Sequence, residues 1–211
     1  MKEEHMDICQ HRLIPVVVIS DPNDAEPLGQ ALIDGGLPIA EVTFRTPAAA
    51  EAISIMSEID GLTVGAGTVV TPNQVELAVE AGAQFLVSPG LRADVVREAI
   101  MDGRPIVPGA VTPSEIMQAQ SLGIDTVKFF PANLYGGAAA IRVLSGPFTT
   151  MKFIPTGGVS SSNLADYLSL PCVPAVGGSW MVPLGLINGR DFAAITTLCR
   201  TAVSLVASLA N

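Results

Sequence analysis

Histidine is nearly absent from this 211-residue chain: there are two, His5 and His11, both close to the N-terminus. Ser-His-Asp hydrolysis and histidine-ligated zinc both need imidazoles set among partner residues. No partner motif surrounds either histidine, so no metal is expected. Cysteine is scarce as well. Cys9, Cys172 and Cys199 are odd in number, far apart and without a CxxC. They are expected as free, buried thiols in a reducing compartment. Positive charge is also in short supply, and the formal net charge is −9. That argues against nucleic acid, whose binding needs a basic footprint. It leaves room for an anionic small ligand, because backbone amides and one arginine can build a local positive site. No apolar stretch reaches the roughly 18 uninterrupted residues of a membrane span. The most apolar helical segment, 195–209, is broken by Arg200. The opening Met1-Lys2-Glu3-Glu4-His5 is acidic and lacks the apolar core of a signal peptide. A cytoplasmic protein with neither membrane partner nor cofactor is the expectation.

What the chain does have is a large apolar fraction, 49%, arranged in short runs. Strand-like runs cover residues 14–19, 39–43, 63–66, 85–87, 105–107, 126–128, 153–155 and 174–176. Segments with helical spacing lie between them, for example 25–33, 48–57, 74–81 and 114–121. Near-continuous apolar strands alternating with helices indicate a parallel sheet covered on both faces. Eight such units without a linker fit a compact (β/α)8 TIM barrel, one domain over residues 1–211. A doubly wound open sheet is the runner-up. Residues 4–13 are predicted as an extra N-terminal helix, and 191–209 as the closing helix. Thr46-Pro47, Thr71-Pro72 and Thr112-Pro113 each place a capping hydroxyl before a proline at a helix start. Thr112 and Glu115 add capping-box spacing.

Lysine is the scarcest of the cations: Lys2, Lys128 and Lys152 are the whole set. Lys128 lies in the apolar run Thr126-Val127-Lys128-Phe129-Phe130-Pro131. A buried ammonium is costly, and burial favours the neutral amine. Such an amine at a strand end is the nucleophile that forms Schiff bases with ketones. A lysine that snorkels outward is the other reading. Lys152 is the competitor, and Lys2 sits in the polar N-terminal segment. In a parallel barrel the active site forms at the carboxyl ends of the strands. Those ends here are rich in Gly, Thr and Ser. Glu41, inside the second strand, can exchange protons if it points inward beside Lys128. Arg45, two residues past that strand, suits a substrate carboxylate, and equally a surface salt bridge. Thr156-Gly157-Gly158 and Gly177-Gly178-Ser179 follow the seventh and eighth strands. Glycine loops there let backbone amides approach a phosphate. Of Phe129 and Phe130, alternation sends one ring to the core and frees the other to wall the site. Trp180 is expected between barrel and helices.

Assembled in order, these segments resemble the class I aldolases for 2-keto-3-deoxy-6-phosphogluconate (KDPG), a family that includes 4-hydroxy-2-oxoglutarate (KHG) aldolase activity. The resemblance rests on Glu41-Val42-Thr43-Phe44-Arg45-Thr46, Val64-Gly65-Ala66-Gly67-Thr68, Gln84-Phe85-Leu86-Val87-Ser88-Pro89-Gly90, Val127-Lys128-Phe129-Phe130-Pro131-Ala132, Pro155-Thr156-Gly157-Gly158 and Gly177-Gly178-Ser179-Trp180. It spans residue 14 to the C-terminus. It implies a Schiff-base lysine at Lys128, a proton-shuttling glutamate at Glu41 and a carboxylate-binding Arg45. Thr68 and Pro89 would line the pyruvyl pocket. Gly157, Gly158, Gly178 and Ser179 would hold phosphate, with Thr156 near the hydroxyl that separates the gluconate from the galactonate epimer. The implied ligand is a phosphorylated keto acid and the implied assembly a homotrimer. The forms EVTxRT and PTGG look like the gluconate branch. A non-covalent phosphosugar isomerase using Glu41 as base, or a non-catalytic phosphosugar-binding barrel, are the other classes the fold could host.

Overall fold

The computed structural model describes residues 8–209. Eight strands alternate with helices along the chain: β1 (Leu13–Val17), β2 (Ile39–Thr43), β3 (Thr63–Gly67), β4 (Phe85–Val87), β5 (Ile106–Val107), β6 (Thr126–Phe129), β7 (Lys152–Pro155) and β8 (Val176–Gly178). The helices are α1 (Ala25–Asp34), α2 (Ala49–Ser57), α3 (Pro72–Glu80), α4 (Ala93–Met101), α5 (Pro113–Ser121), α6 (Gly137–Leu144), α7 (Leu164–Leu168), α8 (Leu184–Asn188) and α9 (Phe192–Ser208). Among the described residues every strand pairing is parallel, in the order β5-β4-β3-β2-β1-β8 with β6 beside β7. Two single bridges join the pieces: Gly109 to Lys128 between β5 and β6, and Thr156 to Gly177 between β7 and β8. The barrel is therefore closed, and the open-sheet alternative is set aside.

Closure explains the apolar strands. A parallel strand packs side chains into the barrel on one face and against helices on the other, so it has no solvent face. All five residues of β2 are buried, Glu41 included. Alternation places Val127 and Phe129 of β6 on the helix side. There Phe129 meets Phe153 of β7 edge to face, centroids 6.4 Å apart. The same alternation turns Lys128 into the barrel.

β3 shows how the interior was made to fit. Its inward positions include Gly65 and Gly67. A Cβ on Gly65 would sit 2.4 Å from the Phe85 ring, and one on Gly67 would sit 2.3 Å from Glu41 Oε1. Glycine inside a strand commonly marks such a close approach. The glycines of VGAG thus leave space for a ring and a carboxylate from the neighbouring strands.

Several sequence expectations need correction. Of the predicted N-terminal helix, residues 4–7 lie outside the described residues, as do His5 and Lys2. Residues 8–11 form a turn, and Leu13 already belongs to β1. The eighth strand runs two residues later than predicted, because Pro174 cannot donate to a ladder while Gly177 and Gly178 can pair with β1. Thr71 and Thr112 cap their helices, but Thr46 does not: α2 starts three residues later. The Thr46 hydroxyl instead donates to the Ile19 carbonyl. Cys199 is buried, and burial pushes its thiol up to about 12. Cys9 and Cys172 are only half-buried. Trp180 is half-buried against the core. No helix among the described residues is long and apolar enough to cross a membrane.

The Thr112 capping box is complete. The Thr112 Oγ1 accepts from the Glu115 N–H, and Glu115 Oε2 accepts from the Val111 and Thr112 amides and the Thr112 hydroxyl at 2.8–2.9 Å. Partial burial works to raise the Glu115 pKa, but these bonds outweigh it and hold the carboxyl below its usual 4.5. A lowered folded value means stabilisation that is full above the unfolded pKa and is lost as pH falls through the folded one. Thr112→Ala should cost about 1 kcal/mol, read as a lower urea midpoint. Glu115→Gln should be less stable than wild type at neutral pH and converge with it at acid pH, below the folded pKa of Glu115. An equal gap at both pH values would contradict this account of the cap.

Candidate active site

Lys128 and Glu41 meet inside the barrel. Lys128 Nζ lies 2.9 Å from Glu41 Oε1, with side-chain exposures of 5% and 3%. They come from β6 and β2, 87 residues apart in the chain. The snorkelling reading of Lys128 therefore does not hold, and Lys152, at the exposed start of β7, does not compete. The amine is not isolated, as burial alone would suggest. A carboxylate at hydrogen-bond distance supplies the partner that a buried ammonium requires. The same carboxylate can take the proton when the amine reacts.

Neither Lys128 nor Glu41 lines the open cavity at this end of the barrel, and Phe130 stands between the pair and open space. Its ring centroid is 5.5 Å from Lys128 Nζ, within the range of cation–π attraction. It also lines that cavity, which has a volume of about 340 Å³. Arg45, Thr156, Gly157, Gly158, Gly178 and Ser179 line that cavity too. The sequence-predicted residues of β2, β6, β7 and β8 thus converge on one mouth of the barrel. Phe129 takes the core position and Phe130 the wall, as strand alternation requires.

Thr68 and Pro89 do not line this cavity. They follow β3 and β4, around the same end of the barrel. Thr68 has φ of 57°, a left-handed conformation that is strained for a β-branched residue. Such strain costs on the order of 1–3 kcal/mol and is held by the surrounding structure.

Local chemistry positions each wall. The Thr43 hydroxyl donates to Val17 O at 2.9 Å, and Thr46 to Ile19 O, so two threonines fasten the end of β2 to the end of β1. Arg45 lies between these ties, exposed at the mouth. Thr156 is buried, with its hydroxyl filling the place a Cβ on Gly177 would occupy, 2.4 Å away. Gly157 and Gly158 have φ of +90° and +75°, which side chains rarely adopt. They present backbone alone to the cavity. The loop after β1 contributes Val18, and is held by buried Asp24, which accepts from Arg190 Nε at 2.8 Å.

Electrostatically the lining is one-sided. Its single charged side chain is Arg45, and it carries no carboxylate. In a chain of net charge −9, that selects for an anion. Among the described residues no group of three His, Cys, Asp or Glu could hold a metal ion. His11 is half-buried, which lowers its pKa, and stands outside the site.

Sequence reasoning gave no role to Val16, Val18 or Gly67. Val16 lies in the apolar β1 and Val18 just past it, with no polar signal to mark either. The third carried a signal: two glycines at alternate positions of one strand.

A buried amine beside a proton acceptor, one aromatic ring away from an anion-suited cavity at the carboxyl end of a parallel barrel, is the equipment of an enzyme that holds keto substrates as imines. Known proteins narrow that class. Residues 5–198 match the family model of KDPG and KHG aldolases, and the chain belongs to that family. It is 48% identical over 196 residues to the 2-dehydro-3-deoxy-phosphogluconate aldolase of Treponema pallidum, covering 92% of this chain and 93% of that protein. Its fold matches the KDPG aldolase of Zymomonas mobilis ZM4, solved with 3-phosphoglycerate, at a TM-score of 0.89 and 41% identity, covering 95% of this chain and 97% of that one. It also matches the Legionella pneumophila KDPG aldolase, solved with pyruvate captured as a covalent carbinolamine, at a TM-score of 0.87 and 41% identity, covering 90% and 93%.

The space at Gly67 is a direct test of the geometry. Gly67→Ala would place its Cβ 2.3 Å from Glu41 Oε1 and 2.6 Å from its Cγ, so the carboxylate must move away from Lys128. Turnover should fall by up to about 10²-fold, since ångström-scale misplacement of a reacting group costs that much. An unchanged kcat in a folded variant would mean that Glu41 is not held where the chemistry needs it.

Proposed function

We propose that this chain cleaves KDPG to pyruvate and glyceraldehyde 3-phosphate as a class I aldolase, with Lys128 as nucleophile and Glu41 as proton carrier. The observation that carries the reading is the buried 2.9 Å contact between them. An isomerase needs a base but no amine beside it, and a binding barrel needs neither. The carbinolamine found in the Legionella relative supports covalent attachment of pyruvate to an amine in this family.

The steps follow from the placement of the groups. Glu41 accepts the Lys128 proton, and the free amine attacks the C2 ketone to give a carbinolamine. Glu41 returns its proton to the carbinolamine hydroxyl, which leaves as water, and the resulting protonated imine draws electrons from the C3–C4 bond. Glu41, directly or through water, takes the C4 hydroxyl proton as that bond breaks, and the phosphorylated aldehyde departs. The remaining enamine is protonated at C3, and water hydrolyses the imine to release pyruvate. Arg45 pairs with the substrate carboxylate, and Thr68 and Pro89 border the pyruvyl group. Phe130 walls the pocket, and Gly157, Gly158, Gly178 and Ser179 hold the phosphate. Thr156 lies near the hydroxyl that distinguishes the gluconate from the galactonate epimer. These anchors act by fixing the chain in reactive geometry.

Cleavage of KHG to pyruvate and glyoxylate is a second activity of the same machinery. It uses the Lys128, Glu41 and Arg45 half of the site and makes no demand on the glycine loops, and the matched family carries both substrates in its name. One barrel carries the whole reaction without a cofactor, in the cytoplasm, and the protein works as a homotrimer. Light scattering on the purified protein should give three times the chain mass of 21.8 kDa; a monomer would contradict that part of the proposal.

Lys128→Ala should abolish cleavage of KDPG. Glu41→Gln should slow it roughly 10²- to 10⁴-fold, the usual worth of a positioned acid–base group. Near-normal turnover in Lys128→Ala, measured as pyruvate release, would exclude the imine mechanism and move the isomerase reading forward.

A further inference from the structure

Asn163 stands at the start of α7, where asparagine ordinarily accepts a hydrogen bond from the first turn of its own helix. Here the side chain makes no such cap bond. It reaches back into the loop after β7. Asn163 Nδ2 donates to Gly158 O at 2.8 Å, and its Oδ1 accepts from the Ser160 N–H at 2.8 Å. One carboxamide therefore clamps the backbone on both sides of Val159.

That segment needs a clamp. Gly157 and Gly158 both lie in the left-handed region, and glycine loses more conformational freedom on ordering than any other residue. From the opposite side the loop is met by the Asn133 N–H, which donates to Gly157 O at 3.1 Å. The Asn133 side chain covers Gly158, where a Cβ would lie 2.4 Å from its Cγ. Of these ties, only the Asn163 side chain both donates to and accepts from the loop backbone. Asn163 itself is not part of the cavity lining, whereas Gly157, Gly158 and Val159 are.

We propose that Asn163 is a positioning residue for phosphate recognition: it fixes the Gly157–Gly158–Val159 backbone and thereby sets the preference for phosphorylated over unphosphorylated substrates. This rests on the reading of the glycine loops as the phosphate site. The imine half of the pocket, on β2 and β6, does not depend on this clamp, so the two halves are separable in kinetics.

The test compares KDPG with its unphosphorylated counterpart, 2-keto-3-deoxygluconate, in wild type, Asn163→Ala and Asn163→Asp. The Ala variant loses both bonds. The Asp variant keeps an acceptor for Ser160 N–H but turns an oxygen toward Gly158 O. Both should raise KM for KDPG about tenfold, the worth of one or two hydrogen bonds. Inorganic phosphate should weaken as an inhibitor by a similar factor. Cleavage of the unphosphorylated substrate, and borohydride trapping of pyruvate, should stay within about twofold. If the Ala variant fails to fold, the Asp variant carries the same comparison. Asn163→Asp with wild-type selectivity overturns the proposal, because the two-sided clamp would then be dispensable. Equal losses on both substrates overturn it too. Wild type that treats the two substrates alike removes the phosphate reading itself, whereas wild type that discriminates beside variants that still do removes only the role of Asn163.

Discussion

Two opposite charges sit in contact inside the barrel, and neither is tolerable there without the other. Taking an ammonium or a carboxylate out of water costs several kcal/mol even after relaxation. The 2.9 Å contact between Lys128 and Glu41 offsets that cost for both. It does not make the pair a device for stability, since apolar residues of similar size commonly serve a core as well or better. The pair is retained in a place where only chemistry gives it a use. An amine and a proton acceptor held together and shielded from bulk water are what imine formation and aldol cleavage require.

The surrounding structure follows from that constraint. A carboxylate inside a barrel needs room, and Gly67 on the adjacent strand provides it. Phe130 stands between the mouth and the pair: its ring lines the cavity and has its centroid 5.5 Å from the amine. An acidic protein that takes a doubly anionic substrate must keep its own carboxylates off the binding surface. The cavity lining does so, with Arg45 as its single charge and glycine backbone opposite. The strained Thr68 backbone adds a local cost of the kind found where geometry is fixed for function.

Much of this was legible in the amino-acid order, for a physical reason. A closed parallel barrel buries both faces of each strand, so its strands read as short apolar runs, and a charge in such a run stands out. Lys128 and Glu41 stood out on that ground, although a snorkelling lysine and a paired strand carboxylate fitted the same runs. Arg45 was weaker, because an arginine past a strand end looks like any surface cation until the cavity places it beside the glycine loops. Closure was expected from the count of eight units, and two single bridges complete it. Thr46 misled because a threonine before a proline has the look of a helix cap, while its hydroxyl is used on the neighbouring strand. Of the expected helix over 4–13, the described end gave way for a similar reason: leucine at 13 fits a helical face, but pairing with Val176 recruits it into β1. Asn163 was invisible because its bonds run to backbone atoms, which leave no trace in residue identity.

The central claim is that Lys128 forms a covalent imine with a keto acid. Its most direct test is to incubate the protein with pyruvate, reduce with borohydride and locate any added mass by peptide mapping. The account predicts one stable adduct, on Lys128, and none on Lys2 or Lys152. A folded protein that acquires no adduct, or acquires it elsewhere, would contradict the account at its root.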